Sequence, residues 1–369
     1  MIPLLLALSV ALAILHYSFL AVPADFWAIW SYGLFLLSHP AAGLYDAAGL
    51  DAFQVGLGMD TTLPFPFPYP PTFMLLVWPL GLLTVQQACV AWLGLTCAGF
   101  VWAAAGPRPA VLTVLALLVA PATTMGVVAG QGGFLFGALL IGGMRLIEAR
   151  PWLGGLLLGV LTCKPQLGLL VPVALVAAGA WRGIAATACV AVALAVVATA
   201  AFGATIWLDW LASLSGYSAW FAVQATLLPL KPTLTANLVL LGFPEAAGPV
   251  QVLAGAAMAV LVWFAFRRGV SRAAIGVLVA ATALANPHAF FYDLPMLTPA
   301  VLFLLAARLR IDQPLRWWEG ALLVPVLCLP AAMVWTRAFG MAVPISLPIL
   351  LAFAAWAAWQ VRLGATAPG

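Results

Sequence analysis

Six polar or charged side chains of this chain stand in apolar surroundings, where such groups are costly unless they are solvated, paired or functional. They are Asp25, Gln131, Lys164, Lys231, His288 and Asp293. A carboxylate can take the proton of a hydroxyl group as its oxygen attacks carbon. Asp25 is therefore a candidate general base. The alternative for Asp25 is a boundary residue or helix N-cap before the segment FWAIW.

The two lysines of the chain share a dipeptide, because Lys164 and Lys231 are each followed by proline. Proline disfavours the α conformation of the residue before it. Each lysine is thus expected at a helix end, with its stem held and its ammonium group directed into a cavity. A phosphate group would suit that position. Interfacial snorkelling is the alternative, but it does not explain the shared dipeptide.

Two further segments concentrate polar groups. Residues 130–133, GQGG, predict a turn in which Gln131 offers an amide; a simple tight turn between helices is the alternative. In residues 286–293, NPHAFFYD, His288 could bind a phosphate, and Asp293 could orient His288 or Lys231 or bind a sugar hydroxyl. The alternative there is a hydrogen-bonded connecting turn. The three histidines lack metal-binding spacing, so neither a metal site nor a cofactor is predicted.

The elements that must position these residues are membrane helices. Of 369 residues, 66% are hydrophobic and 7% are charged, and the mean hydropathy is +1.15. A soluble domain would have about 25% charged residues, and no basic run suggests nucleic acid. One span takes about 20 residues. The apolar segments predict about twelve spans, at 3–22, 86–105, 110–129, 133–147, 151–163, 166–181, 184–202, 248–266, 273–286, 294–307, 318–334 and 345–361.

The charges orient this single membrane domain of residues 1–369. With a cytoplasmic N-terminus, the inner loops contain Arg108, Arg145, Arg150, Arg182, Arg267, Arg268, Arg272, Arg308, Arg310, Arg316 and Arg362. Lys164, Lys231 and Arg337 are then outside, which satisfies the positive-inside rule. Two longer outer segments are predicted at 23–85 and 203–247. The first should contain an interfacial helix with aromatic anchors and, at 64–71, an extended proline-rich surface strip.

The order of these features resembles glycosyltransferase family 87, a branch of the GT-C membrane transferases that includes polyprenol-phosphate-mannose-dependent mannosyltransferases. The resemblance runs over most of the chain. It rests on ADFWAIW, HPAAGLYD, PYPPTFMLLVWPLGLL, the Gly130-Gln131 turn, LTCKPQLGLL and HAFFYDLPML. The proline strip with the later GQ and KP elements, in that order, is the more specific signal.

The resemblance implies an all-α GT-C helical bundle with about 12 transmembrane helices, whose first outer loop carries interfacial helices. It also implies transfer of a sugar, mannose in the family named, from a polyprenyl-phosphate donor to a lipid or glycan hydroxyl. The reaction would face the periplasm, across a bacterial inner membrane. Asp25 would be the base, and the donor phosphate would be bound by Lys164, Lys231, His288 and Arg337. The predicted substrate-binding residues are Gln131, Tyr69, Asn237, Tyr292 and Asp293.

This sequence departs from the GT-C pattern in one respect. Those enzymes often have paired acids in the first loop, whereas Asp25 is a single acid and Asp46 is the next. A metal site built on two carboxylates is therefore not expected.

A transporter or flippase for a lipid-linked or small polar substrate is the competing hypothesis. It predicts polar residues along the spans and at both faces. In this chain they collect on one side and no inverted repeat is apparent, which favours the enzyme.

Overall fold

The computed structural model describes residues 22–59, 65–223, 225–309 and 313–366, and within these ranges the chain is helical and has no β-strand. Nearly all of the predicted first span, residues 3–21, lies outside the described residues, as does Arg310.

The described α-helices follow one another with short connections. In chain order they are α1 Ala24–Ser38, α2 Ala47–Gly56, α3 Pro71–Val77, α4 Val85–Ala105, α5 Val111–Leu118, α6 Pro121–Ala129, α7 Gly133–Leu146, α8 Pro151–Val160, α9 Val171–Ala177, α10 Trp181–Phe202, α11 Ile206–Val223, α12 Leu234–Leu240, α13 Pro244–Phe266, α14 Arg272–Ala285, α15 Leu297–Leu309, α16 Trp317–Ala338 and α17 Ser346–Thr366. Short 3-10 helices lie at Ala41–Tyr45, Trp78–Leu82, Leu161–Cys163, Pro165–Gly168, Ala225–Leu230 and Phe291–Met296.

Local sequence signals explain many of these boundaries. Thr84 and Gln87 form a reciprocal capping box at the start of α4, which satisfies backbone N–H groups that have no partner within the helix. Ser271 caps α14 through the backbone N–H of Ala274. Helix α6 ends at Gly130, whose φ of 69° is a left-handed conformation that glycine adopts readily.

Every apolar segment predicted after the first span falls on helices, but the helices differ in length. Among the described residues, five helices are long and apolar enough to cross a membrane: α4, α10, α13, the segment Phe291–Leu309 and α16. The bent pair of α5 and α6, at 54°, would be a sixth. Other apolar helices are short; α7 and α14 have 14 residues each and rise about 21 Å, less than the roughly 30 Å hydrocarbon core. Twelve spans remain a prediction.

The packing places one helix at the centre and leaves others facing outward. Every residue of α14 from Ala274 to Ala285 is buried, and this helix packs against α13, α15 and α17. By contrast, α10 exposes apolar side chains such as Val192 and Val196. An exposed apolar face of this kind suits contact with lipid, where apolar side chains need no burial within the protein. The structure thus describes a helical membrane protein.

The proline strip differs from its prediction in one respect. Its described part, residues 65–70, is non-helical as expected, but Phe67 and Tyr69 are buried, so it is not simply a surface segment. Proline removes backbone donors and leaves the carbonyls free to accept. The Tyr32 hydroxyl donates to Pro66 O at 3.0 Å, and the Tyr45 hydroxyl donates to Tyr69 O at 3.0 Å. These bonds fasten the strip onto the protein.

Candidate active site

Asp25 lies in the first turn of α1 and lines a cavity of about 300 Å³. Gln131, Tyr32 and Arg337 also line it. Burial raises the pKa of Asp25 from its usual value to about 7, against the opposing charge of Arg337. A carboxyl group with this pKa changes its charge near neutral pH, which suits a general base.

Glycines bring the Gln131 turn into contact with two other parts of this site. A Cβ at Gly130 would lie 2.7 Å from the Cβ of Phe26, next to Asp25. A Cβ at Gly133 would lie 1.9 Å from the backbone oxygen of Tyr292. Such close approaches are available only to glycine. Gln131 thereby reaches the cavity, and its buried Oε1 has no hydrogen-bond partner in the described part of the chain.

Lys164 lies between the 3-10 helices Leu161–Cys163 and Pro165–Gly168, at φ −136° and ψ 72°. This non-helical conformation before proline agrees with the prediction. Its ammonium group is buried and lies 2.5 Å from Oδ1 of Asp293. The other carboxylate oxygen of Asp293 accepts from the backbone N–H of Phe290 at 3.1 Å.

The structure therefore corrects the partner predicted for Asp293. The partners described for its carboxylate are Lys164 and the Phe290 backbone, rather than the His288 or Lys231 side chains. The reason is topological: the turn before Phe291–Met296 folds Asp293 inward, onto the Lys164 segment 129 residues away.

Lys164 and Asp293 line a second, larger cavity of about 880 Å³, together with Lys231 and His288. Burial lowers the pKa of Lys231 to about 8, and its ammonium lies 5.7 Å from the centre of the Phe290 ring. Partial desolvation at the cavity wall, together with the charge of Lys231, lowers the pKa of His288. His288 is thus neutral at pH 7, while Lys231 is mostly charged.

The two cavities adjoin each other along a wall of mostly aromatic residues. Five residues line both of them: Pro68, Tyr69, Tyr217, Phe290 and Tyr292. We call this set the shared wall. Tyr69 and Tyr292 were predicted as substrate-binding residues. Tyr217 was not, because a single tyrosine in α11 has no distinguishing neighbours; its place in the predicted outer segment 203–247 was the one signal available.

Two of the predicted site residues, Arg337 and Asn237, do not line the lysine cavity. Arg337 lines the Asp25 cavity rather than the lysine cavity, and its Nε donates to Thr226 O at 3.0 Å. Asn237 is buried and lines neither cavity. Its amide donates to Thr233 O at 2.7 Å and to the Ser346 hydroxyl at 2.8 Å, which joins α12 to α17. The structure therefore gives Asn237 a packing role and does not bring it together with the other predicted residues.

The arrangement combines two chemical functions. A carboxylate that ionises near neutral pH lies on one side of the shared wall, and a cation able to bind an anion lies on the other. Together they are suited to moving a group from an anionic leaving group to a hydroxyl, because such a transfer needs both proton acceptance and charge stabilisation. Within the described residues, no cluster of three or more metal-ligating His, Cys, Asp or Glu side chains is found.

Comparison with protein families gives a match over more than half of the chain. The model of glycosyltransferase family 87 matches residues 67–287. This chain belongs to glycosyltransferase family 87. It is accordingly a membrane glycosyltransferase, which agrees with the resemblance seen in its motifs. No curated protein and no solved structure matches it.

The family 87 match covers part of the candidate site. Tyr69, Gln131, Lys164, Tyr217 and Lys231 lie within the matched residues. Asp25, His288, Asp293 and Arg337 lie outside them. The geometry described above is therefore what connects the second group to the first.

Proposed function

We propose that this family 87 enzyme transfers a sugar from a polyprenyl-phosphate donor to a hydroxyl of a lipid or glycan, and that the sugar is mannose. The proposal includes a GT-C helical bundle and a site facing the periplasm of a bacterial inner membrane. One observation carries it: Asp25 lines one cavity, Lys231 lines the adjoining one, and the two cavities have the shared wall in common. The acceptor would enter the Asp25 cavity and the donor the larger one.

In the proposed reaction, Asp25 accepts the proton of the acceptor hydroxyl while that oxygen forms a bond to the anomeric carbon of the donor. The bond from that carbon to the phosphate oxygen breaks, and its electron pair stays with the phosphate. The attack comes from the face opposite the leaving group, so the anomeric configuration inverts. The phosphate gains negative charge, and nearby fixed cations stabilise it most at that moment.

The contacts of the cations suggest a division of roles. Lys164 forms an ion pair with Asp293 at 2.5 Å. This pair holds the Lys164 ammonium in place, but the carboxylate offsets much of its positive charge. Lys231 faces the same cavity with a pKa of about 8. We assign to Lys231 the main role in stabilising the negative charge of the departing phosphate. His288, in its neutral form, would donate a hydrogen bond to the same phosphate. Lys164 and Asp293 would hold the shape of the cavity and contact the donor from the other side.

The larger cavity also suits the chemical nature of the donor. Its volume of about 880 Å³ is at the upper end of the roughly 300–1,000 Å³ found for ligand sites. Leu214, Leu228 and Val239 line it together with the charged groups. A polar sugar phosphate and the first units of a prenyl chain would thus meet polar and apolar surfaces in one space.

The test is sugar transfer by Asp25→Asn in proteoliposomes, with polyprenyl-phosphate sugars as donors and membrane lipid extracts as acceptors. We expect transfer to fall by about 10²–10⁴-fold, because an amide cannot accept the proton. Asp46→Asn is the matched control, since asparagine caps a helix as well as aspartate does and Asp46 caps α2.

A folding measurement distinguishes chemistry from damage. The raised pKa of Asp25 means that its ionised form is disfavoured in the folded protein. Above pH 7, Asp25→Asn should therefore unfold at the same or a higher temperature than the wild type.

Full transfer by this variant would exclude Asp25 as the base. Uptake of a polar substrate without any sugar transfer by the wild type would instead support a transporter.

A further inference from the structure

A separate basic cavity of about 460 Å³ lies away from the candidate active site. Four arginines line it: Arg267, Arg268, Arg308 and Arg362. Helix α13 relates the two sites, because Gln251 lines the large active-site cavity and Phe264 lines this one. The helix rises about 20 Å between these two residues. The arginine cavity therefore lies at the opposite end of a membrane-length helix.

Among the described residues, the charged side chains that line this cavity are all basic. Arg308 is paired, since its Nη1 lies 2.5 Å from Oε1 of the buried Glu319. Arg267 and Arg362 add further positive charge, and the described lining contains no acidic residue. Glu148, close to Gly269, accepts from the backbone N–H of Val270 at 2.8 Å. The N-terminus of α14 also begins at this cavity, with its cap Ser271 in the lining, and helix N-termini attract anions.

The rest of the lining is apolar and continues onto the outer surface of α13. Leu261, Phe264 and Val361 line the cavity. Phe264 is also 53% exposed, and Val260 on the same helix is 56% exposed. Exposed apolar residues on a membrane-length helix indicate a face in contact with lipid. The cavity thus borders the surface from which a lipid could enter.

We propose that this arginine cavity binds the phosphate headgroup of an anionic phospholipid, with an acyl chain along the apolar side of α13. Arginine binds phosphate oxygens through paired N–H donors, and basic sites between membrane helices bind anionic headgroups. A soluble phosphate would share the headgroup chemistry. The apolar lining favours a lipid, because an acyl chain can pack against it and a free phosphate has no apolar part that could.

The test is lipid binding by the purified full-length protein in neutral detergent, measured by native mass spectrometry. The probes are phosphatidylglycerol, phosphatidylcholine and inorganic phosphate. We expect phosphatidylglycerol to bind about tenfold more tightly than phosphatidylcholine, and this preference to fall by about tenfold in Arg267→Gln/Arg362→Gln. The matched control is Arg108→Gln/Arg182→Gln, which removes two exposed arginines that do not line the cavity.

A single variant, Arg362→Gln, keeps the test decisive if the double variant fails to fold, because Arg362 is exposed near the end of α17. It should lower phosphatidylglycerol binding several-fold. Equal binding of both lipids, or equal losses in the cavity and control variants, would overturn the proposal. Binding of inorganic phosphate without phosphatidylglycerol would overturn the lipid assignment. The readout is binding, so the outcome does not depend on whether the proposed sugar transfer is correct.

Discussion

At the scale of single residues, the site depends on where two groups change their charge. Burial raises the pKa of Asp25 to about 7 and lowers that of Lys231 to about 8. In the proposed mechanism Asp25 must be ionised and Lys231 must be protonated. Both conditions hold together in a narrow interval of pH.

These two pKa values predict a bell-shaped pH profile. As the pH rises through about 7, Asp25 loses its proton and kcat/KM should rise; as it passes about 8, Lys231 loses its charge and kcat/KM should fall. In Lys231→Arg the alkaline limb should disappear, since arginine stays charged. Lys231→Met should lose about 100-fold near pH 7, and the loss should shrink as the pH rises above about 8, where the wild-type lysine is itself uncharged. An unchanged alkaline limb in Lys231→Arg would assign that limb to another group.

At the scale of secondary-structure elements, short connections hold the site together by close backbone packing. The GQGG turn touches α1 through Gly130 and the 291–296 segment through Gly133. Because the space for a Cβ is absent at both positions, the sequence of this turn and the geometry of the cavity are directly linked.

Gly133→Ala is expected to disturb this packing. Its Cβ would lie 1.9 Å from the Tyr292 backbone oxygen, so α7 and the 291–296 segment must separate. We expect a loss of about 1–3 kcal/mol in the free energy of unfolding, measured by thermal denaturation in detergent, with a loss of transfer. Gly94→Ala in α4 is the control, because nothing lies within 4 Å of its Cβ. Equal stability of the two variants would contradict this account.

The buried ion pair between α15 and α16 gives a second prediction at this scale. Glu319 bonds Arg308 at 2.5 Å and also accepts from Trp356 Nε1 of α17 at 2.8 Å. Arg308→Met or Glu319→Leu alone should cost about 3–5 kcal/mol, since each leaves a buried charge without its partner. The double variant should cost far less than the sum. Additive losses in a double-mutant cycle of thermal stability would show that the pair is not coupled.

At the scale of the whole molecule, the orientation in the membrane determines which compartment the site faces. The positive-inside rule predicts that the Asp25 side faces outward. The arginine cavity at the other end of α13 is rich in the residues that this rule places inside. The predicted orientation rests on this concentration of arginines at one end of α13.

Cysteine labelling of intact cells tests this orientation. In a background without the five native cysteines, Ala52→Cys should react with a membrane-impermeant maleimide, whereas Pro109→Cys should react only after the cells are opened. Both positions are exposed, so accessibility within the protein does not distinguish them. The reverse pattern would place the site in the cytoplasm and exclude a periplasmic acceptor.

Much of the element layout was predictable because it depends on local properties of the chain. Apolar runs marked the helices after residue 22, and Lys-Pro pairs marked non-helical positions, since proline acts on its immediate neighbour. The number of spans was less predictable, because a buried 14-residue helix and part of a membrane span are both simply apolar. The burial of Phe67 and Tyr69 was missed for a related reason: the proline content describes the backbone but not its neighbours.

The sequence by itself determined the class of protein, its helical nature and the family, and it predicted most of the polar residues that line the candidate site. These follow from composition, spacing and motif order, which are properties of the chain alone. The tertiary structure decided that Lys164 pairs with Asp293 across 129 residues, that Tyr217 joins the shared wall, and that Asn237 serves packing instead. Hydrogen-bond partners and desolvation depend on which distant segments meet. They are therefore fixed only when the helices pack.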